Sequence, residues 1–349
     1  MPWRGIIHEY GELIDLPKTS PVITLLEGGT PLIPLPALGR MLGKEVTLYA
    51  KFEGLNPTGS FKDRGMTVAI SEAAGRKAKS VICASTGNTA ASAAAYAARS
   101  GIPCIVLIPQ GKVAMGKLAG ALAYGAKVLQ IQGSFDDALT MVVQASQKLA
   151  IALVNSLNPY RLEGQKTAAF EICDALGKSP DWLCLPVGNA GNITSYWMGF
   201  KQYHQLKQTG LPKILGVQAE GAAPLVVGHP VEPETVATAI RIGKPARGEQ
   251  ALEAAQESEG GIIAVSDDCI LDMQKSLASE GIWVEPASAA GLAGLAREVR
   301  ENRLTVDGQT IVTVCTGHGL KDPDIITRRS PPIPILAPVL SDLEEALRG

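Results

Sequence analysis

Short apolar runs alternate with helical stretches along most of this chain, and that alternation leaves few ways to fold. The runs SVICAS (80–85), CIVLIP (104–109), AKVLQIQG (126–133) and IALVNS (151–156) read as strands. Between them TAASAAAYAARSG (89–101), MGKLAGALAYG (115–125) and SFDDALTMVVQASQKLA (134–150) read as helices, several closing on a glycine as helix ends do. Ser134 with Asp137 makes a capping-box start. The pattern continues through WLCLPVG (182–188), a helix from about Ile193, KILGVQAE (213–220), GIIAVS (261–266), a helix to about Glu280, a helix near 287–301 and TIVTVCTG (310–317). Strands alternating with helices predict an α/β fold built on parallel sheets. A loop with one helix is expected over 229–260. The tail PPIPILAPVLSDLEEALRG is expected to run extended and end in a short amphipathic helix.

The chain has 349 residues, which suggests roughly two domains. Hydrophobic residues make up 46%, enough for sizeable cores, and a net charge of -2 gives no footprint for nucleic acid. None of Cys83, Cys104, Cys173, Cys184, Cys269 and Cys315 forms a C-x-x-C pair, and no histidine pair has metal-ligand spacing, so no metal site is expected. The N-terminus lacks a signal-peptide core, and no apolar run is long enough to span a membrane. A cytoplasmic protein with reduced thiols is expected.

In open α/β sheets ligands bind beyond the carboxyl ends of strands, which directs attention to the loops there. STGNTA (85–90) offers hydroxyls and amides at a helix start, suited to a carboxylate or to ordinary capping. VGNAGNIT (187–194) offers glycines and asparagines whose amides can converge on a phosphate. In CTGHGLKD (315–322), Thr316 ends a strand, and His318 reads as catalytic or as a loop residue. In NPTGSFKDRG (56–65), Ser60 and Asp63 fit a capping box, which puts Lys62 in the first turn. The helix dipole disfavours a positive charge there, and burial would lower its pKa further. A lone lysine is ordinarily a solvated surface residue; a neutral one is a nucleophile fit for a Schiff base. Two phosphate-loop decoys fail: Ser60 follows Gly54-x4-Gly59 where lysine is needed, and Leu118 follows Gly111-x4-Gly116-Lys117. No strand is followed by a dinucleotide G-x-G-x-x-G. A phosphate cup, an anion loop and a pKa-lowered lysine together suit pyridoxal phosphate held on Lys62.

The segments EGGTPL, NPTGSFKDRG, ASTGNTAASAAAYAARSGI, NSLNPYRLEGQKT, VGNAGN and TGHGLKD resemble the threonine synthases, short-type members of the fold-type-II pyridoxal-phosphate enzymes. The resemblance runs from about Leu26 to Arg328. It implies conversion of O-phospho-L-homoserine and water to L-threonine and phosphate by γ-elimination and β-addition. Lys62 would hold the cofactor as a Schiff base and shuttle protons. Asn88 would meet the phenolic oxygen, and Gly188, Asn189, Ala190, Gly191 and Asn192 the cofactor phosphate. Thr316 would meet the ring nitrogen. Ser85, Thr86, Asn88 and Thr89 resemble the substrate carboxylate loop, and Asn155, Ser156 and Arg161 the substrate phosphate site. The architecture implied is tryptophan synthase β-like. A large domain (1–54 and 156–349) carries the cofactor cup, and a smaller inserted domain (55–155) closes over the substrate in a homodimer. A threonine or serine dehydratase, and a non-catalytic amino-acid sensor on the same fold, are the alternatives.

Overall fold

The computed structural model describes residues 2–111, 115–331 and 333–348, so the middle of the Gly111–Lys117 stretch lies outside the described residues. Among the described residues ten strands form two sheets. They are β1 (Leu32–Pro34), β2 (Thr47–Phe52), β3 (Ser80–Ala84), β4 (Cys104–Pro109), β5 (Lys127–Ile131), β6 (Ile151–Leu153), β7 (Trp182–Pro186), β8 (Lys213–Ala219), β9 (Gly261–Val265) and β10 (Thr310–Cys315). A six-stranded sheet runs β1-β2-β10-β7-β8-β9 and a four-stranded sheet β5-β4-β3-β6. All pairings are parallel except β1 against β2. This is the α/β architecture that the alternation predicts.

The eight strands anticipated from Ser80 onward are present, most stopping short of the end of their apolar run. The residues cut off include Ser85, Asn155, Ser156, Val187, Gly188 and Thr316. All of these but Val187, which stays bonded to Val217 in the core, line the space between the sheets. β1 and β2 were not anticipated. In β2 the apolar pattern is broken by Lys51, which is buried because its Nζ donates to Glu171 at 2.6 Å and to the Thr30 carbonyl at 2.7 Å. A lysine inside a strand reads as solvent-facing unless its partner, far away in sequence, is known.

Each sheet is covered by helices on both faces. The Ala-rich helix Asn88–Ser100 and the helix Lys62–Gly75 pack against the four-stranded sheet through Met66, Ile70, Ala93, Ala94 and Tyr96. Small alanines let helix and sheet approach closely, and the buried aliphatic residues each contribute about 1.5–3 kcal/mol. The six-stranded sheet has one core against the helices Asp267–Ser279 and Pro286–Arg300, and another against Thr167–Leu176 and Gly191–Lys207. Ser134 caps the helix Phe135–Lys148 with the expected reciprocal bonds to Asp137. The tail ends in the helix Leu340–Arg348, with Ile333, Ile335 and Leu347 exposed.

One capping expectation is overturned. The helix starts at Lys62 itself, and the Ser60 hydroxyl caps nothing; it is buried without a hydrogen-bond partner among the described residues. Asp63 instead reaches back two residues further, accepting the Thr58 N–H at 2.7 Å and its hydroxyl at 2.6 Å. Ser92 donates to the same carboxylate at 2.6 Å. The bonding chance that makes Ser60 a plausible cap is taken by Thr58, because the loop is pinned from outside. The Phe61 N–H donates to the Thr316 carbonyl and the His318 N–H to the Gly59 carbonyl, both at 3.0 Å.

Candidate active site

The carboxyl ends of β3 and β6 in one sheet face those of β7 and β10 in the other, across a cavity of about 610 Å³. Its walls bring together Lys62, Ser85, Thr86, Asn88, Thr89, Asn155, Ser156, Arg161, Gly188, Asn189, Ala190, Gly191, Asn192 and Thr316. Every site residue singled out from the sequence except His318 thus meets in one place. His318 does not line this cavity. Its ring stacks on Phe52, its Nδ1 accepts the Leu320 N–H, and it borders a smaller adjoining cavity.

Lys62 projects from the first turn of its helix with Nζ 4.1 Å from the Phe61 ring centroid. Its ammonium has no hydrogen-bond or ion-pair partner among the described residues. Burial, reinforced by the nearby Arg161 charge and opposed by Glu285, lowers its pKa to about 7. A substantial share of this amine is therefore unprotonated at neutral pH, the state a nucleophilic lysine needs.

Opposite Lys62, the loop after β7 climbs into the helix Gly191–Lys207. Ala190 sits at φ 65°, in the left-handed region that costs a residue with a Cβ about 1 kcal/mol or more. A left-handed residue directly before a 17-residue helix is the backbone pattern that lets successive amides cradle an anion. The Asn192 Nδ2 is buried here without a partner among the described residues, and a Cβ on Gly188 would press on the Ile240 backbone. An orphaned donor beside such a backbone fits a bound phosphate. The Asn189 side-chain oxygen accepts the Ala246 N–H at 3.0 Å, which ties this loop to the segment beyond it.

The second anion wall is built differently. Asn158 caps the helix Pro159–Gln165, and Arg161 follows in its first turn. The guanidinium is buried; one end donates to the Val154 carbonyl at 2.8 Å, while Nε has no partner among the described residues. Burial lowers its pKa to about 10, so it stays charged at neutral pH. Asn155 uses its amide to clamp Ala84, donating to the carbonyl at 2.9 Å and accepting the N–H at 3.0 Å. That leaves one N–H for a ligand.

Sequence reasoning missed Glu285, Ser288 and Lys321. Glu285 lines the cavity and accepts from Asn88 Nδ2 at 2.9 and 3.2 Å. Burial raises its pKa to about 7, against the pull of Lys321, Asn88 and Lys62. One signal was present: a single carboxylate inside the apolar run IWVEPASAAG, just before a proline that starts a helix.

Comparison with known proteins places the chain in a family. The profile of the pyridoxal-phosphate-dependent enzymes matches residues 23–317. The threonine synthase of Synechocystis sp. is 57% identical over 331 residues, covering 94% of this chain and 86% of that protein. That of Mycobacterium tuberculosis is 54% identical over 341 residues, covering 96% and 94%. Among solved structures, the processed form of threonine deaminase isoform 2 from Solanum lycopersicum overlays with a TM-score of 0.73 at 24% identity, covering 89% of both chains, and so shares the fold alone. With more than half its residues identical across nearly its whole length, the chain belongs to the pyridoxal-phosphate-dependent enzymes and, among them, to the threonine synthases.

Proposed function

We propose that the protein converts O-phospho-L-homoserine and water to L-threonine and inorganic phosphate. One observation carries this reading: two separate anion walls, at Gly188–Asn192 and at Arg161, flank one amine of lowered pKa. A substrate with its own phosphate needs the second wall; serine or threonine would leave Arg161 without a ligand.

Pyridoxal phosphate, bound through its aldehyde, supplies an electron sink for negative charge developing next to the substrate's amino-bearing carbon. The chain's residues do the rest. Gly188–Asn192 hold the cofactor phosphate, Asn88 its phenolic oxygen and Thr316 its ring nitrogen. Ser85, Thr86, Asn88 and Thr89 hold the substrate carboxylate at the start of the helix Asn88–Ser100. Arg161, with Asn155 and Ser156, holds the substrate phosphate; a guanidinium suits it because its fork matches two oxygens at once. Lys62, once freed, moves protons at Cα, Cβ and Cγ, a task that its near-neutral pKa serves. Loss of phosphate from Cγ and addition of water at Cβ complete the balance.

We further infer that residues 55–155 act as a smaller unit closing on 1–54 and 156–349. No helix among the described residues is long and apolar enough to cross a membrane, and a homodimer in the cytoplasm is the proposed working form.

The test is release of phosphate and threonine from O-phospho-L-homoserine with added cofactor, with Lys62→Ala as control. Equal release of both products by the wild type alone is expected. Formation of a 2-oxoacid from threonine, without use of phosphohomoserine, would replace this reading with a dehydratase.

A further inference from the structure

We propose that the turn Glu285–Ser288 is a positioning element for the cofactor ring: Glu285 fixes the amide of Asn88 and Ser288 fixes the hydroxyl of Thr316, so that each presents a proton to the cavity. The inference rests on the reading above, in which Asn88 and Thr316 meet the ring.

The turn opens the helix Pro286–Arg300. Glu285 is buried and makes no ion pair within 4 Å among the described residues. Both its oxygens face one donor, Asn88 Nδ2, at 2.9 and 3.2 Å. An ionised carboxylate only accepts, so the Asn88 amide cannot flip. One N–H is occupied by Glu285, and the other is left for the cavity. The charged groups facing Glu285 are Lys62, Lys321 and Asp322. A protonated Glu285 could donate instead, and the amide would then be free to turn.

Ser288 is fully buried and has one proton to give. Its Oγ accepts the Gly317 N–H at 2.8 Å. The Thr316 hydroxyl lies 2.9 Å away and the Gly317 carbonyl 3.2 Å away. Either hydroxyl can donate across the shorter contact; with Ser288 as the donor, a lone pair of Thr316 is filled and that residue's own proton is left for the cavity. A ring nitrogen placed there meets a donor and is held unprotonated. The turn is itself locked. The Glu285 N–H donates to the Gly317 carbonyl at 3.2 Å, and the Ser288 N–H to the Glu285 carbonyl at 3.0 Å. A Cβ on Gly317 would displace the Glu285 carboxylate.

The experiment compares wild-type, Glu285→Gln and Ser288→Ala holoenzymes. Cofactor content, thermal midpoint, visible absorbance against pH, kcat and KM are measured for each. Both variants are expected to fold and keep the cofactor. The apparent pKa of the cofactor's absorbance should move by about one unit, and kcat should fall about tenfold with KM within about threefold. Because Ser288 acts through Thr316, Ser288→Ala should cost little more on a Thr316→Val background. Wild-type absorbance profiles in both variants, or fully additive losses in the double variant, would overturn the proposal. Glu285→Gln keeps the side chain's shape and decides the matter alone should Ser288→Ala not fold. The absorbance arm needs no substrate. A shift seen in an enzyme that ignores phosphohomoserine would sustain this proposal while removing the proposed reaction.

Discussion

Lys62 and Arg64 stand two residues apart on one helix and live in opposite electrostatic worlds. Arg64 is buried between Glu53, at 2.6 and 2.8 Å, and Glu171, at 2.5 and 2.7 Å. Lys51 completes the cluster through Glu171, and Thr30 of the EGGT turn bridges Glu53 and Arg64. Two cations face two carboxylates, and each charge is held. Burial works against Glu171, yet Arg64 and Lys51 bring its pKa down to about 2. Glu53 is likewise lowered and Arg64 raised. Around Lys62 the buried groups lack such partners, and burial wins. Lys62 falls to about 7, while Glu285 rises to about 7 and Asp63 to about 6. The difference teaches how one helix serves two purposes. Matched charges pin the loop 53–64 from behind, and unmatched ones in front are left able to change protonation near neutral pH.

The comparison can be broken at several points. The largest effect is expected for Lys62→Met, with activity down about 10³-fold or more while stability is unchanged or higher, since a poorly partnered amine is removed. A clear loss of stability in urea unfolding would show that Lys62 is part of the scaffold after all. Arg64→Met should do the reverse, costing about 3–5 kcal/mol because it strands two buried carboxylates. A near-wild-type unfolding midpoint would dissolve the contrast. Arg161→Ala should lower kcat/KM for phosphohomoserine by about 10²-fold, as expected when a charged phosphate contact is lost. An unchanged kcat/KM would place the substrate phosphate elsewhere.

The smallest effect is in pH dependence, where the two clusters should have opposite signs. The folded pKa of Glu171 lies below the unfolded value, so its contribution is present above about pH 4.5 and fades as pH falls toward 2. The folded pKa of Glu285 lies above the unfolded value, so folding favours its protonated form and stability declines as pH rises from about 4.5 to 7. Cofactor-free Glu285→Gln should therefore gain about 1–3 kcal/mol over the wild type at about pH 8 and little at about pH 5. An equal gain at both pH values would contradict the assignment.

Much of the site was legible before any coordinates. Lys62 announced itself by a helix start in the wrong place for a cation, and Gly188–Asn192 by more glycine and asparagine than a plain turn needs. Both signals are local, because capping and backbone conformation depend on a few neighbouring residues. Ser288 was silent and Glu285 gave only a lone carboxylate in an apolar run, because their meaning lies in Thr316 and Asn88, which the chain places far away. The same distance hid β2, whose Lys51 is buried by a glutamate 120 residues later. Ser60 shows the converse failure: a locally sound capping motif lost to Thr58 once the loop was tied to Thr316 and His318.

By itself the sequence determined the α/β class and the strands from Ser80 onward, and it singled out Lys62 and Gly188–Asn192 as candidates for one site. Each follows from periodicity or turn chemistry, which act over one or two turns of chain. Only the tertiary structure decided which buried charges are matched and which are left poised. That depends on distances between elements remote in sequence, and a charge in a low-dielectric interior is governed by its nearest partners rather than by its neighbours along the chain.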